Sequence, residues 1–557
     1  MRLQAQGREF DRFCSTAEVF WRNNVQRHTT GDERWILVEA LHQDIRVSLR
    51  NLTVANALRR IFPAKLAVLT GTDEDWYAAL WSDFDVAKVE ELARAYGADA
   101  VIDIHSIIDK RLAAGIDVPD TIDVAGQRIP MDGAPNGIDP TQLDHVVRAT
   151  ACRVLRVPRL SAADMDGEAY TRVRGRSAEF SRVYDALCHS LQPAALVTSH
   201  VDYNHWGLAV ESATRFAVPV VHVQSTGSLK AYTLFPEHAT GTRTFRGELT
   251  VQIGEYFEKY LWANREKIRR SAELVAWRAK GNLGRPSWWR AGSSATMDLA
   301  TATERAQLRL HAVDRMGFDR DKPVVAVFNH AVSDALNTNL ETFDDLAGWF
   351  EETAAYARER TDVSWLFLDH PSQALYDVTG FFDEVAERHA DAGHMAFRPS
   401  RALSKNMLWS MLDLGVTVRG SVSNELPAYG IPAVQAGWSE WSSCGLSRVA
   451  ADKDDYWAIL DHSLDSLCAG DSLITQEQIE RARLWHWFYR SGNDVSTPLV
   501  PHWDVGASDQ LLRVIRIAMA GMECDGDPAF TATRRMWERR EPFLTRIDLT
   551  ALEASDL

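Results

Sequence analysis

The sequence predicts an α/β protein built from two successive doubly wound domains, and three observations carry that expectation. Short apolar runs that end in polar or turn residues alternate with helical patterns, as parallel βαβ units do. The alternation stops over about 255–320, where charged helical text gives way to the break GNLGRPSWWRAGSS. It then resumes at Lys322 with a second series of strands and helices. A chain of 557 residues is too long for one ordinary core, and its 46% apolar and 25% charged residues are those of a folded globular protein. The expected divisions are an N-terminal α/β domain over 1–255, a helical linker over 256–320, a C-terminal α/β domain over 321–470, and helices over 471–557 that pack back across the domains.

In the first series the expected strands are Trp35–Ala40, Lys65–Thr70, Ala98–Ile104, Ala194–Ser199 and Pro219–Gln224. The run His205–Ala217 between the last two reads as an amphipathic helix. Residues 112–145, rich in Gly, Pro and Asp, read as a long loop or insertion. In the second series strand Pro323–Phe328 is followed by a helix over about 343–359, strand Ser364–Leu368 and a helix over about 374–390. Then come strand Met395–Arg398, a helix capped by Ser404, strand Leu414–Val418, helix Ser423–Tyr429 and strand Pro432–Gln435. The tail is helical, and its segment from Arg481 to Arg490 reads either as core or as a platform for sugar rings; the 19 tryptophans of the chain leave the same two readings open.

Charge and cysteine usage exclude several classes. A net charge of −16 repels nucleic-acid phosphates and anionic lipid surfaces, so nucleic acid is not an expected partner. The six cysteines are scattered and none lies in a CxxC pair, which argues against a zinc knuckle or a disulfide framework and suits a reducing cytoplasm. No apolar run follows the first charges, and no stretch approaches 18 apolar residues, so neither a signal peptide nor a membrane span is expected.

In an open parallel sheet, ligands bind where strands end and helices begin. The second series ends its strands in Asn329-His330-Ala-Val-Ser333-Asp334, Asp369-His370-Pro371-Ser372-Gln373, Arg419-Gly420-Ser421-Val-Ser423-Asn424-Glu425 and Ala436-Gly437-Trp438-Ser439. All four edges are polar and should converge on one cleft. Gly420 with Ser421 and Ser423 at a helix start suits a phosphate, which can approach backbone N–H groups and the positive end of the helix. Glu425 is placed to accept from two ribose hydroxyls. The plainer alternative is a helix cap by Ser421 or Ser423. Pro371 holds the chain extended, so His370 stands at the cleft edge as a donor to phosphate; a simple turn is the alternative.

These residues resemble the bacterial capsule-polysaccharide glycosyltransferases, the Kdo transferases among them, and more distantly the bacterial sialyltransferases. The shared features are a strand ending in His370-Pro371, the loop from Gly420 into a helix carrying Glu425, and the strand start Gly430-Ile431-Pro432. The text from Gln435 to Ser447 is similar to the AGWG-L text of the Kdo transferases, with an insertion, and with Gln435 where an aromatic stands there. The resemblance covers 322–450. It implies a GT-B fold, two Rossmann-like domains facing a cleft, and a metal-independent transferase without cofactor. The nucleotide-sugar donor would lie in the C-terminal half against Asn329, His330, His370, Pro371, Gly420, Ser421, Ser423 and Glu425. His370, Ser421 and Ser423 would hold phosphate, and Glu425 the ribose.

The implied donor is CMP-Kdo or another CMP-activated ulosonic acid, with a nucleotide diphosphate sugar next. The implied acceptor is a surface polysaccharide, another glycan or a lipid-linked one. That setting is cytoplasmic and leaves room for peripheral association with the inner membrane. No HExxH, DxD-type or Cys/His cluster stands at a strand end of this half, in agreement with metal independence. In the first series His200-Val-Asp202-Tyr-Asn204-His205 follows a strand, which makes Asp202 and His205 the expected catalytic pair acting on the acceptor hydroxyl. Helix capping by Asp202 or Asn204 is the alternative, and Asp73 and Asp103–His105 are other strand-end carboxylate sites. Gln224–Lys230 reads as a polar rim, with Lys230 a surface lysine or a contact for an anionic sugar. Two other functions remain open, a UDP-sugar epimerase of GT-B architecture and a catalytically inactive GT-B scaffold that binds glycan.

Overall fold

The computed structural model describes residues 2–25, 34–41, 45–71, 86–114, 121–135, 137–224, 229–241, 244–269, 302–334, 341–501, 511–523 and 526–553. Asp73, the rim residues 225–228 and the Gly/Pro/Trp break at 281–294 lie outside them. The chain forms two compact units. Unit 1 comprises Met1–Val154, Ala162–Leu249 and Gly492–Ile547, and unit 2 comprises Leu155–Ser161, Thr250–Ser491 and Asp548–Leu557.

Unit 1 is built on a six-stranded sheet. Its strands are β1 (Arg34–Glu39), β2 (Ala64–Thr70), β3 (Ala100–Asp103), β6 (Ala195–Thr198), β7 (Val220–Val223) and β8 (Ala231–Leu234), in the order β3-β2-β1-β6-β7-β8. All neighbours are parallel except β7 and β8. The strand order reverses at β1/β6, the switch point of a doubly wound sheet. The strands are apolar runs because helices cover both faces. One face meets Phe13 and Trp21 of helix Arg2–Asn24, helix Ile45–Arg59, and Val514, Ile515, Met536 and Trp537 from the C-terminal segment. The chain from Gly492 to Ile547 is therefore part of this unit's core.

Residues 112–145 were expected to be a long loop or an insertion. They hold instead an antiparallel hairpin of β4 (Thr121–Val124) and β5 (Gln127–Pro130), then the start of helix Pro140–Leu155. The hairpin turn, Ala125-Gly126, has φ of 53° and 85°, the left-handed pair that matches strand twist. Glycine, proline and aspartate density masked the alternation of buried Ile122, Val124 and Ile129. The helix expected over His205–Ala217 opens as a π-turn over Tyr203–Gly207, closed by the Gly207 N–H on the Asp202 carbonyl (3.1 Å), and continues as helix Leu208–Arg215.

Unit 2 contains β9 (Val324–Phe328), β10 (Ser364–Leu368), β11 (Met395–Arg398), β12 (Leu414–Thr417), β13 (Ala433–Gln435) and β14 (Arg448–Val449), all parallel, in the order β11-β10-β9-β12-β13-β14. Its order reverses at β9/β12. Val324, Ala326, Leu366 and Leu368 pack with Trp409 and Leu426 on one face, while Phe367 meets Phe350 and Phe397 on the other. Gly415 of β12 lies so close to Leu426 that any Cβ there would collide with it, so glycine lets helix Val422–Ala428 sit against the sheet. The helix expected over 374–390 is broken into Gln373–Tyr376 and Phe381–Arg388. Asp377 breaks it by accepting the N–H groups of Thr379 (2.9 Å) and Phe381 (3.0 Å). The aromatic segment of helix Gln476–Trp487 is core and not a sugar platform. Trp485 and Trp487 are buried, and Trp485 lies against Trp441 and Tyr489.

Among the described residues no helix is long and apolar enough to cross a membrane. None of their His, Cys, Asp and Glu side chains form a group of three suited to a metal ion.

Candidate functional site

The switch point of unit 2 gathers the strand-end residues of β9, β10 and β12. His330 and His370 stack with ring centroids 6.0 Å apart and planes 23° apart. The Ser372 N–H donates to His370 Nδ1 (3.2 Å), so the neutral ring carries its proton on Nε2 and offers a donor there. His330 has the opposite tautomer, since its Nδ1 faces the Ala331 carbonyl at 3.4 Å and Nε2 is left as an acceptor. Burial pushes His330 down to about 4, with the Arg419 charge acting in the same sense. Burial also lowers His370, against the pull of Asp334 and Asp369. Both rings are therefore neutral at neutral pH.

Arg419, directly after β12, is a cation of this site; the sequence places it at a polar strand end but gives it no role of its own. Its side chain and that of Glu341 are each 8% exposed and form an ion pair at 3.2 Å. Glu341 is held by an antiparallel bridge to Gly437, and the Thr342 N–H bonds the Ala436 carbonyl (3.0 Å). A lone arginine between an apolar strand and Gly420 was the signal that could have found it. Asn329, the first residue past β9, donates its N–H to the Leu368 carbonyl at 3.0 Å and is 5% exposed.

The phosphate-type loop is arranged differently from expectation. Gly420 turns the chain, its N–H bonded to Thr417 Oγ1 (3.2 Å). Ser423 is fully buried; its hydroxyl donates to the Gly420 carbonyl (2.8 Å) and accepts from Trp441 Nε1–H (3.0 Å). That bonding fastens the loop from inside and corrects the expectation that Ser423 holds phosphate. Ser421 starts the helix half-buried, and its side chain caps nothing. Glu425 is not presented to a ribose as expected. It is buried in an ion pair with Lys405, whose ammonium also lies 5.0 Å from the Trp409 ring centre. Gln435 organises the loop that follows it. Its amide bonds Ser447 (2.6 Å), Ser439 (2.9 Å) and Ser442 (3.3 Å), which ties the loop after β13 to the end of that strand.

At the switch point of unit 1 the buried hub is Glu39, at the end of β1. Its carboxylate accepts from the Leu41 N–H (2.5 Å) and from the Ser199 N–H (2.9 Å) and hydroxyl (2.6 Å), tying β1 to β6. Asp202 is 9% exposed and in a two-bond pair with Arg246, at 2.8 and 2.5 Å. Both carboxylate oxygens are engaged by that guanidinium, so the expected base is instead the anchor of an arginine. It caps nothing, and Asn204 lies inside the π-turn with its amide on Ser177 (3.2 Å), so neither capping alternative holds. Tyr203, next to Asp202, has φ of 66°, a strained conformation for a side chain of that size.

His205 is corrected too. It is 2% exposed and enclosed by His105, Phe180 and Trp206 at 4.8–5.1 Å, so the ring is packed in the interior of unit 1. His105 is likewise buried, bonded at Nδ1 by Arg176 (2.6 Å), and Asp103 accepts from the Ser106 N–H (2.8 Å) as a helix cap. The more open histidine is His200, whose Nδ1 accepts from the N–H groups of Val201 and Asp202 (both 3.1 Å). Beyond β6, burial first and then Arg246 push His222 down to about 3. Lys230 is no surface lysine. It is 1% exposed, and its ammonium donates to Asn493 Oδ1 at 3.2 Å.

Two doubly wound sheets, each with polar side chains gathered at its switch point, define the class: an α/β protein of two Rossmann-like units. No family model matches the chain, and no curated protein does. Among solved structures it is similar to a glycosyltransferase from Rickettsia africae, at 10% identity over 83% of this chain and 94% of that one, with a TM-score of 0.30. It is similar to the β-Kdo 2,7 transferase KpsC of Thermosulfurimonas dismutans, at 12% identity over 60% and 88% with a TM-score of 0.31. A third is the UDP-GlcNAc 2-epimerase of Neisseria meningitidis bound to UDP-GlcNAc, at 10% identity over 81% and 97% with a TM-score of 0.22.

Proposed function

We propose that the chain is a glycosyltransferase that uses a nucleotide-activated sugar, with the donor bound at the β9/β12 switch point of unit 2. The observation that carries this reading is the neutral His330/His370 stack beside Arg419, with His370 Nε2–H fixed as a donor. In glycosyl transfer an acceptor hydroxyl forms a bond to the anomeric carbon while the bond from that carbon to the phosphate oxygen breaks. The phosphate leaves with the electron pair, the hydroxyl proton passes to the leaving phosphate oxygen or to water, and a positioned N–H donor and a guanidinium stabilise the developing charge without a metal. His370 and Arg419 are those two groups. Asn329, Pro371, Gly420 and Ser421 complete the donor site by position. Arg246, anchored by Asp202, is the proposed cation for an acceptor on unit 1.

A melting-temperature screen with CMP, UDP and their sugar conjugates tests the reading. Stabilisation by CMP and not UDP supports an ulosonic-acid donor. UDP alone supports a nucleotide diphosphate sugar, and release of free epimerised sugar nucleotide would then move the assignment to an epimerase. His370→Ala should weaken the nucleotide that binds by about tenfold or more, the loss expected for a hydrogen bond to a charged group. A folded protein indifferent to every nucleotide sinks the proposal and leaves a glycan-binding scaffold.

A further inference from the structure

Asn329 carries an unusual debt of hydrogen bonds. Its backbone N–H is satisfied by the Leu368 carbonyl, but neither Nδ2 nor Oδ1 has a partner among the described residues, and the residue is 5% exposed. The position is the carboxyl end of β9, beside β12, where the sheet order reverses and a ligand is expected. A buried amide left unsatisfied destabilises the free protein, so it points to a group that arrives with the ligand. The chemistry of that group can be deduced. A phosphate at neutral pH offers acceptors only; it could take the Nδ2–H bonds but would leave Oδ1 orphaned. Satisfying both atoms takes a donor and an acceptor side by side. Neighbouring hydroxyls supply them, one donating to Oδ1 while the next accepts from Nδ2–H.

We propose that Asn329 holds a pair of neighbouring hydroxyls of the bound ligand, leaving its phosphate to His370 and Arg419. The inference rests on the nucleotide-sugar reading of this site and deepens it. It also moves the hydroxyl-reading role away from Glu425, whose carboxylate is committed to Lys405. The hydroxyls have two sources, the ribose and the transferred sugar.

Calorimetric titration with CMP or UDP, whichever the wild type binds, is compared with the 2′- and 3′-deoxy forms and with the matching sugar nucleotide. Asn329→Ala should weaken the ribonucleotide by about tenfold. A deoxy form should lose about as much on the wild type and less than twofold on the variant. If the plain nucleotide is unaffected and only the sugar nucleotide weakens, the hydroxyls are those of the transferred sugar, and the proposal stands with that source. Equal losses for ribo and deoxy forms together with no loss specific to the sugar nucleotide, or binding of all ligands within twofold of wild type, overturn it. Asn329→Leu, close in shape, should raise the melting temperature of the nucleotide-free protein while erasing the hydroxyl preference; a lowered one means the amide is satisfied within the protein and overturns the inference. A wild type that binds no nucleotide removes the functional reading and this inference together. Nucleotide binding with an indifferent Asn329 removes this inference alone.

Discussion

At His330 burial and the Arg419 guanidinium work in one direction, whereas at His370 Asp334 and Asp369 oppose burial. A histidine lowered from 6.5 to about 4 by folding, as His330 is, favours the folded state fully above 6.5, and that contribution is lost as pH falls from 6.5 toward 4. The unfolded chain takes up a proton in that window and the folded chain does not. The slope is at most about 1.4 kcal/mol per pH unit for one group. Denaturant unfolding at pH 7 and pH 5 should show a smaller loss on acidification in His330→Gln than in wild type; equal losses would mean the ring is not held neutral. The Asp202–Arg246 pair gives a second expectation at this scale. Asp202→Asn removes the charge paired with a mostly buried guanidinium and should destabilise unit 1 by about 2–4 kcal/mol. Adding Arg246→Met should recover most of that, since it removes the uncompensated charge. A double variant no more stable than the single one would contradict the pairing as the source of the cost.

Elements in unit 2 are placed by contacts that leave little room. Helix Val422–Ala428 can approach β12 because Gly415 has no Cβ to meet Leu426. Gly415→Ala should therefore cost about 1–3 kcal/mol, the usual range for overpacking, and weaken nucleotide binding, because the displaced helix follows the Gly420–Ser421 turn. Leu426→Ala in the same chain should relieve part of the cost by opening the space; no relief would place the strain elsewhere. Gln435 governs the loop after β13. It is fully buried, and its amide is shared by three serines. Gln435→Leu should destabilise by about 2–4 kcal/mol through orphaned hydroxyls, measured as a lowered melting temperature.

Over the whole chain, sequence order and packing order differ. Unit 1 is completed by residues 492–547, which place Val495, Leu499, Ile515, Met536 and Trp537 in the same core as Trp21 and Val38. A chain ending at Ser491 should lose cooperative unfolding of unit 1, seen as loss of near-ultraviolet signal and soluble yield, because that core would face water. Retention of a sharp transition for unit 1 would show that the segment is dispensable.

Local pattern was enough to determine the two α/β series, nearly every strand of both sheets, and the strand ends Asn329, His330, His370 and Gly420, because apolar runs closed by polar residues are a property of neighbouring positions. It also determined the helix start at Ser404, whose hydroxyl accepts from the Met407 N–H. The partner of each buried polar group could not be read locally. Glu425 and Asp202 look alike in sequence as strand-end carboxylates, yet each is committed to a cation 20 or 44 residues away. Ser423 faces Trp441 and not a ligand, and Arg419 gains its meaning from Glu341 and His330. The tertiary structure alone decides such roles, since a polar side chain withdrawn from water takes its chemistry from whichever donor, acceptor or charge the fold brings to it.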